Sequence, residues 1–230
     1  MRGWRRHNVF SVVMGAVERI VVDNMFYGAA MLVRNRSLSE NKYARSAYER
    51  RLLLREAPAG IDEVDVTRIV DYYIPRTRMR LRRVEWANQG SVEYKFGLKF
   101  PDLSLPDGCV ALTNLYLTEN EYDDLRLLVG SNSMVKRRYP FVHGGVRYGV
   151  DVFEGRHEGL VLAEVEFETA DGYERFEKPD FAVEDVTTDV FFTGGELSRV
   201  PESTLRRVLR ERLGISRETH GIRDGSQFRF

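Results

Sequence analysis

The sequence predicts an α+β protein, mainly antiparallel β, built as an eight-stranded closed β-barrel with a few flanking helices. Three observations lead there. Eight strand-like segments follow one another with turn residues between them. Several of these segments carry like charges on every second residue, which on a strand gathers the charges on one face and the apolar residues on the other. The stripes are of both signs: basic at Arg78-Met79-Arg80-Leu81-Arg82, Lys95-Phe96-Gly97-Leu98-Lys99 and Lys136-Arg137-Arg138, acidic at Glu164-Val165-Glu166-Phe167-Glu168. A barrel closed with such stripes inward encloses a wet bore lined by cations and carboxylates together. That lining suits a polyanion held with a divalent metal.

Taken in order, residues 1–41 differ in texture from the rest. They are patchily amphipathic with Arg-rich ends (Arg2, Arg5, Arg6, Arg34, Arg36) and close in the polar run 37–41. They are expected to be a helical extension, or else to precede a true start at a later methionine such as Met25 or Met31. Strands are predicted over 48–55, 66–74, 77–85, 92–100, 110–117, 135–141, 146–153 and 161–169. Thr118-Glu119-Asn120-Glu121 reads as a capping box opening a helix to about residue 129, with Gly130 ending it. A second helix is predicted over 201–213, with Pro201 at its start and Gly214 just past its end. Gly144-Gly145 and Gly194-Gly195 read as turns. The organisation expected is an extension at 1–41, a barrel domain at 42–214 including the C-terminal helix, and a tail at 215–230.

Composition bounds the function. Lys+Arg and Asp+Glu balance at 35 each, so there is no net field to drive binding to nucleic acid or an acidic membrane, and charge-based function must come from local arrangement. The one cysteine, Cys109, rules out an internal disulfide and fits a reducing, cytoplasmic compartment. The apolar stretch 9–33 is interrupted by Glu18, Arg19, Asp23 and Asn24 and fails as a membrane span. The four histidines show no metal-ligand spacing.

The strings KYARSAYERRLLL, DYYIPRTRMRLRRVE, EYKFGLKFP, TNLYLTENEYDDL, VKRRYPF, GVDVFEGRHEGLVLAEVEFE and VEDVTTDVFFTGGELS follow one another in an order that resembles bacterial CYTH-domain proteins, the triphosphate tunnel metalloenzymes. The resemblance spans residues 43–198 and implies an eight-stranded antiparallel tunnel that hydrolyses a triphosphate with Mg²⁺ or Mn²⁺. Inorganic tripolyphosphate or an organic triphosphate would be the small-molecule partner. One branch of that family cyclises ATP, but no feature of this sequence specifies a base. A homodimer is left open.

By the same resemblance, the N-terminal Glu-x-Glu-x-Lys motif falls on Ala47 to Arg51. Glu49 and Arg51 thereby take catalytic positions. The phosphate-gripping positions fall on Arg78, Arg80, Arg82, Lys95, Lys99, Lys136 and Arg138, and the metal positions on Glu49, Asp151, Glu164 and Glu166. The chemistry agrees: guanidinium forks match phosphate oxygens, and Mg²⁺ takes a few carboxylates with phosphate oxygens and water. Two residues depart from the motif. Ala47 stands where a glutamate is expected and offers no metal oxygen. Arg51 replaces lysine and, always protonated, serves as a phosphate clamp and not as a base. A tunnel that binds polyphosphate or nucleotide without turnover is the alternative that Ala47 motivates.

Overall fold

The computed structural model describes residues 44–101, 109–130 and 133–215. The expected extension at 1–41 and nearly all of the tail at 215–230 lie outside them. Nine strands form one sheet: β1 (Arg45–Leu54), β2 (Thr67–Tyr73), β3 (Met79–Trp86), β4 (Ser91–Pro101), β5 (Cys109–Leu117), β6 (Ser133–His143), β7 (Val146–Phe153), β8 (Val161–Phe167) and β9 (Ala182–Asp185). Their order is β5-β4-β3-β2-β6-β7-β8-β1-β9, every neighbouring pair is antiparallel, and β5 returns to pair with β1. That last pairing closes an eight-stranded barrel. All eight strands are the ones predicted, with ends shifted by a few residues.

Strand β1 carries the closure on one edge. Its residues Arg45 to Tyr48 pair with β5, and Leu52 to Leu54 pair with β9. Between the two, the Arg51 amide donates to Thr187 Oγ1 at 3.0 Å and the Arg51 carbonyl accepts from the Val186 amide at 2.8 Å. Both backbone groups of Arg51 are thereby satisfied where a strand partner is missing.

The helices are α1 (Glu119–Leu128), α2 (Ala170–Glu174), α3 (Gly194–Leu197) and α4 (Glu202–Leu213). The α1 capping box forms as predicted: Thr118 Oγ1 accepts from the Glu121 amide, and the Glu121 carboxylate accepts from the Thr118 amide. Its end differs from expectation. Val129 stops the helix in an extended conformation, without a left-handed glycine. Helix α4 ends as predicted, with Gly214 left-handed at φ 62°. The β6–β7 hairpin turns through Gly144 and Gly145, both at positive φ, as a two-residue reversal demands. Gly194-Gly195 is not a turn but the start of α3. A Cβ on Gly194 would lie 1.9 Å from the Tyr73 hydroxyl, so glycine is what lets this helix seat against β2.

Two apolar cores flank the sheet. Leu52, Leu54, Phe141, Tyr148, Val150, Val161, Ala163 and Val165 face outward and are covered by Phe176 and Phe181 of the segment joining β8 to β9 and by Ala182 at the start of β9. On the opposite, inner face, Leu53, Met134, Phe153 and Leu162 pack against Phe192, Leu197, Val200, Leu205, Leu209 and Leu213. The C-terminal helices thus plug one end of the barrel with hydrocarbon. The polar part of the bore lies above that plug. Among the described residues, no helix is long and apolar enough to cross a membrane.

His157, for which the sequence suggested no role, is buried against this plug, with Nε2 at 2.9 Å from the Leu197 carbonyl. The neutral ring donates there, and burial lowers the His157 pKa. Since the folded protein takes up this proton less readily than the unfolded chain, the contact's full stability is present above about pH 6.5 and is lost as pH falls toward the lowered folded value. The melting temperature, followed from about pH 8 to about pH 5, should therefore fall faster in the wild type than in His157→Gln. Parallel profiles would contradict this.

Candidate active site in the charged bore

The register shows which side chains share the bore. Glu49 and Arg51 of β1 lie opposite Glu166 and Glu164 of β8. Asp151 of β7 lies opposite Arg138 of β6, and Asp71 of β2 opposite Arg82 of β3. Arg82 in turn faces Lys95 of β4, while Lys136 lies between Ile69 and Phe153. Residues paired across a sheet project to the same side. The charge stripes read from single strands therefore converge on one surface, joined by Arg78 and Lys99 at the β3–β4 end, where the Lys99 amide donates to the Arg78 carbonyl at 3.2 Å.

The charges form a chain of alternating sign. Arg82 donates through Nε to Asp71 Oδ1 at 2.6 Å and through Nη2 to Asp71 Oδ2 at 2.8 Å, with Arg80 Nε at 3.5 Å from the same carboxylate. Arg138 makes the matching fork with Asp151, Nε to Oδ1 and Nη2 to Oδ2, both at 2.6 Å. Lys136 pairs with Asp151, Arg138 reaches on to Glu164, and Glu164 also accepts from Arg51 Nε at 3.3 Å. Gly149 makes that reach feasible: a Cβ there would sit 3.1 Å from Arg138 Cδ. Lys99 pairs with Glu49, and Lys95 with Glu93. At the rim, Arg45 stands 3.7 Å from Glu166, both well exposed.

Among the described residues, with the rim pair cancelling, the inner-face cations Arg51, Arg80, Arg82, Lys95, Lys99, Lys136 and Arg138, joined by Arg78 at the β3–β4 end, outnumber the carboxylates Glu49, Asp71, Glu93, Asp151 and Glu164. Burial pushes the Asp71 carboxyl upward, but Arg82 and Arg80 overcome it and hold the group well below the usual carboxylate range. Glu164 behaves likewise, with Arg138, Lys136 and Arg51 outweighing burial. For Lys136, burial prevails over Asp151 and lowers the ammonium pKa. The bore thus holds Asp71 and Glu164 ionised at neutral pH, and Lys136 loses its proton more readily than an exposed lysine.

The predicted site residues are thus distributed unevenly. Arg51, Arg80, Arg82, Lys136, Arg138, Asp151 and Glu164 meet in the interior network; Lys95 pairs with Glu93, and Glu166 is paired nearer the solvent. Asp151, expected at a metal position, is fully buried with both oxygens engaged by Arg138 and Lys136. Asp71 was not foreseen. It sits in the apolar run Ile69 to Tyr73, whose lack of alternation hides which face is inner, and only its pairing with Arg82 shows it.

The donor set fits a hard divalent ion within limits. Among the described residues, no three His, Cys, Asp or Glu side chains come together to hold one unaided, and Ala47 adds nothing. Glu49 and Glu166 are direct cross-strand partners, with Glu164 next on the same face. Mg²⁺ commonly uses one or two carboxylates and completes its shell with phosphate oxygens and water. These residues match an ion held largely by its ligand.

No family model matches the chain, and no curated protein matches it. Among solved structures it is similar to the inorganic triphosphatase NE1496 at 22% identity and a TM-score of 0.47, over 67% of this chain and 96% of that one. A second structure of NE1496 gives 23% and 0.48, over 67% and 99%. The PH1819 protein of Pyrococcus horikoshii OT3 gives 17% and 0.39, over 72% and 90%. These scores add no weight to the geometry above. By its own strand order and inward charges, the chain forms a closed eight-stranded antiparallel barrel with a charged bore, the architecture that its sequence resemblance implies.

Proposed function

We propose that the bore binds a triphosphate and hydrolyses it to diphosphate and phosphate with Mg²⁺ or Mn²⁺, inorganic tripolyphosphate being the preferred probe. The observation that carries this reading is that, among the described residues, cations outnumber carboxylates on an enclosed inner face. A triphosphate brings about four negative charges near neutral pH, so a cationic bore offsets its self-repulsion and fixes its orientation. Because the plug fills one end, the ligand enters through the mouth lined by Lys95, Arg45 and Glu166.

In hydrolysis, a water oxygen bonds to the terminal phosphorus while the bridging P–O bond breaks and diphosphate leaves. Arg80, Arg82 and Arg138 stabilise charge on the transferring and leaving oxygens, and Arg51, Lys95 and Lys99 hold the rest of the chain. Glu49, Glu164 and Glu166 would hold the metal, whose chemistry is to neutralise phosphate charge and polarise the phosphorus. Each of these carboxylates is paired with a cation in the free protein. Phosphate oxygens entering the bore would give those cations new partners, leaving Glu49, Glu164 and Glu166 free to hold a metal. Asp151, committed on both oxygens, is assigned to positioning Arg138.

Binding without turnover is the second reading. It is favoured by Ala47 and by the absence, among the described residues, of a three-carboxylate cluster. Calorimetric titration with tripolyphosphate, with and without Mg²⁺, tests the common part. Saturable binding that weakens steeply with added salt is expected. Heat-silent titrations and an unmoved melting temperature would refute both readings.

A further inference from the structure

Asp71 repeats, on the other side of the bore, what Asp151 does. Each is fully buried, each is the direct cross-strand partner of an arginine, and each takes that arginine's Nε and Nη2 in a two-point fork. Between them stands Lys136. A guanidinium tied along its Nε/Nη2 edge has one orientation left, with Nη1 and the outer Nη2 hydrogen as its remaining donors. Arg82 is therefore not a mobile cation on a flexible stem. It is a rigid donor pair aimed from a fixed edge.

We propose that Asp71 is a specificity-determining positioning residue: by locking Arg82, and drawing in Arg80 beside it, it makes the deep part of the bore choose tetrahedral phosphate over planar polycarboxylates of similar charge. Charge alone would attract either kind of anion. Only a fixed donor geometry makes the wrong one leave N–H groups unpaired, and unpaired buried donors are where discrimination comes from. Asp71 also lowers the positive charge of the deep cluster, which weakens indiscriminate attraction of anions. This rests on the triphosphate reading of the bore.

The test is a ratio of affinities, tripolyphosphate against citrate, measured by calorimetry on the wild type, Asp71→Asn, Arg82→Lys and the double variant. Asparagine keeps the shape but presents an N–H where Arg82 Nη2 needs an acceptor. The phosphate preference is expected to drop about tenfold or more in Asp71→Asn, whichever way each single affinity moves. Arg82→Lys, which keeps the charge and loses the fork, should drop it similarly, and the double variant little further, since both act through one guanidinium. A folded, equally selective Asp71→Asn overturns the proposal. Should that variant fail to fold, an unchanged ratio in Arg82→Lys overturns it instead. A wild type with no preference for tripolyphosphate sinks the functional reading and this inference together, so the two failures are distinguishable.

Discussion

Truncating Asp151 to alanine should destabilise the protein by about 3–5 kcal/mol, the usual consequence of stranding buried charges. Its carboxylate is the shared acceptor for Arg138 Nε, Arg138 Nη2 and Lys136 Nζ; Arg138 Nη2 keeps Glu164 as a second acceptor, while Lys136 is buried along with Asp151. Denaturant unfolding of the variant at neutral pH checks the value. Tripolyphosphate should then stabilise Asp151→Ala more than the wild type, because phosphate oxygens can replace the lost acceptor. Glu166→Ala is the contrast: that carboxylate is 56% exposed at the rim and 3.7 Å from its partner, so its loss should change stability by less than about 1 kcal/mol. Equal costs for the two variants would show that Asp151 is not the keystone of the inner network.

Ala47→Glu should raise turnover of tripolyphosphate about tenfold or more while leaving its affinity nearly unchanged. Ala47 lies two residues from Glu49 on the inner face of β1, opposite Val110. A carboxylate there would join Glu49, Glu164 and Glu166, supplying the further hard oxygen that the described residues lack. Steady-state kinetics at saturating Mg²⁺ separate the two quantities: kcat moves and the binding constant does not. If kcat stays flat while the variant remains folded, the alanine is not what limits the metal site.

Acid should act on this protein in two stages. His157 loses its contribution as pH drops below about 6.5, as argued above. Asp71 and Glu164 act later. Asp71 is held below its ordinary value of 3.8, so its contribution is fully present above that pH and lost only as pH falls further.

Strand alternation made most of the barrel legible, because Arg78 to Arg82, Lys95 to Lys99 and Glu164 to Glu168 each display period two in their own sequence. The helix ends with side-chain or glycine caps, Thr118 and Gly214, were equally plain. Short β9 was not: four residues, Ala182 to Asp185, carry too little pattern to stand out from a loop. Nor was the plug, since the inner face switches from charge to hydrocarbon at Leu53 and Leu162 within strands whose outer face is apolar as well. At the site, single-strand reading located the cations but not their pairing. Asp71 in an apolar run, and the full commitment of Asp151 to Arg138 and Lys136, exist only once β2, β3, β6 and β7 are side by side.

The most direct test of a metal-assisted triphosphatase bore is phosphate release from inorganic tripolyphosphate by the full chain, with and without Mg²⁺ or Mn²⁺, beside an Arg80→Ala, Arg82→Ala variant. The expected result is metal-dependent release of phosphate and diphosphate in equal amounts, abolished in the double variant. Tripolyphosphate left intact under both metals, by a protein that binds it tightly, would contradict hydrolysis and leave a binding module.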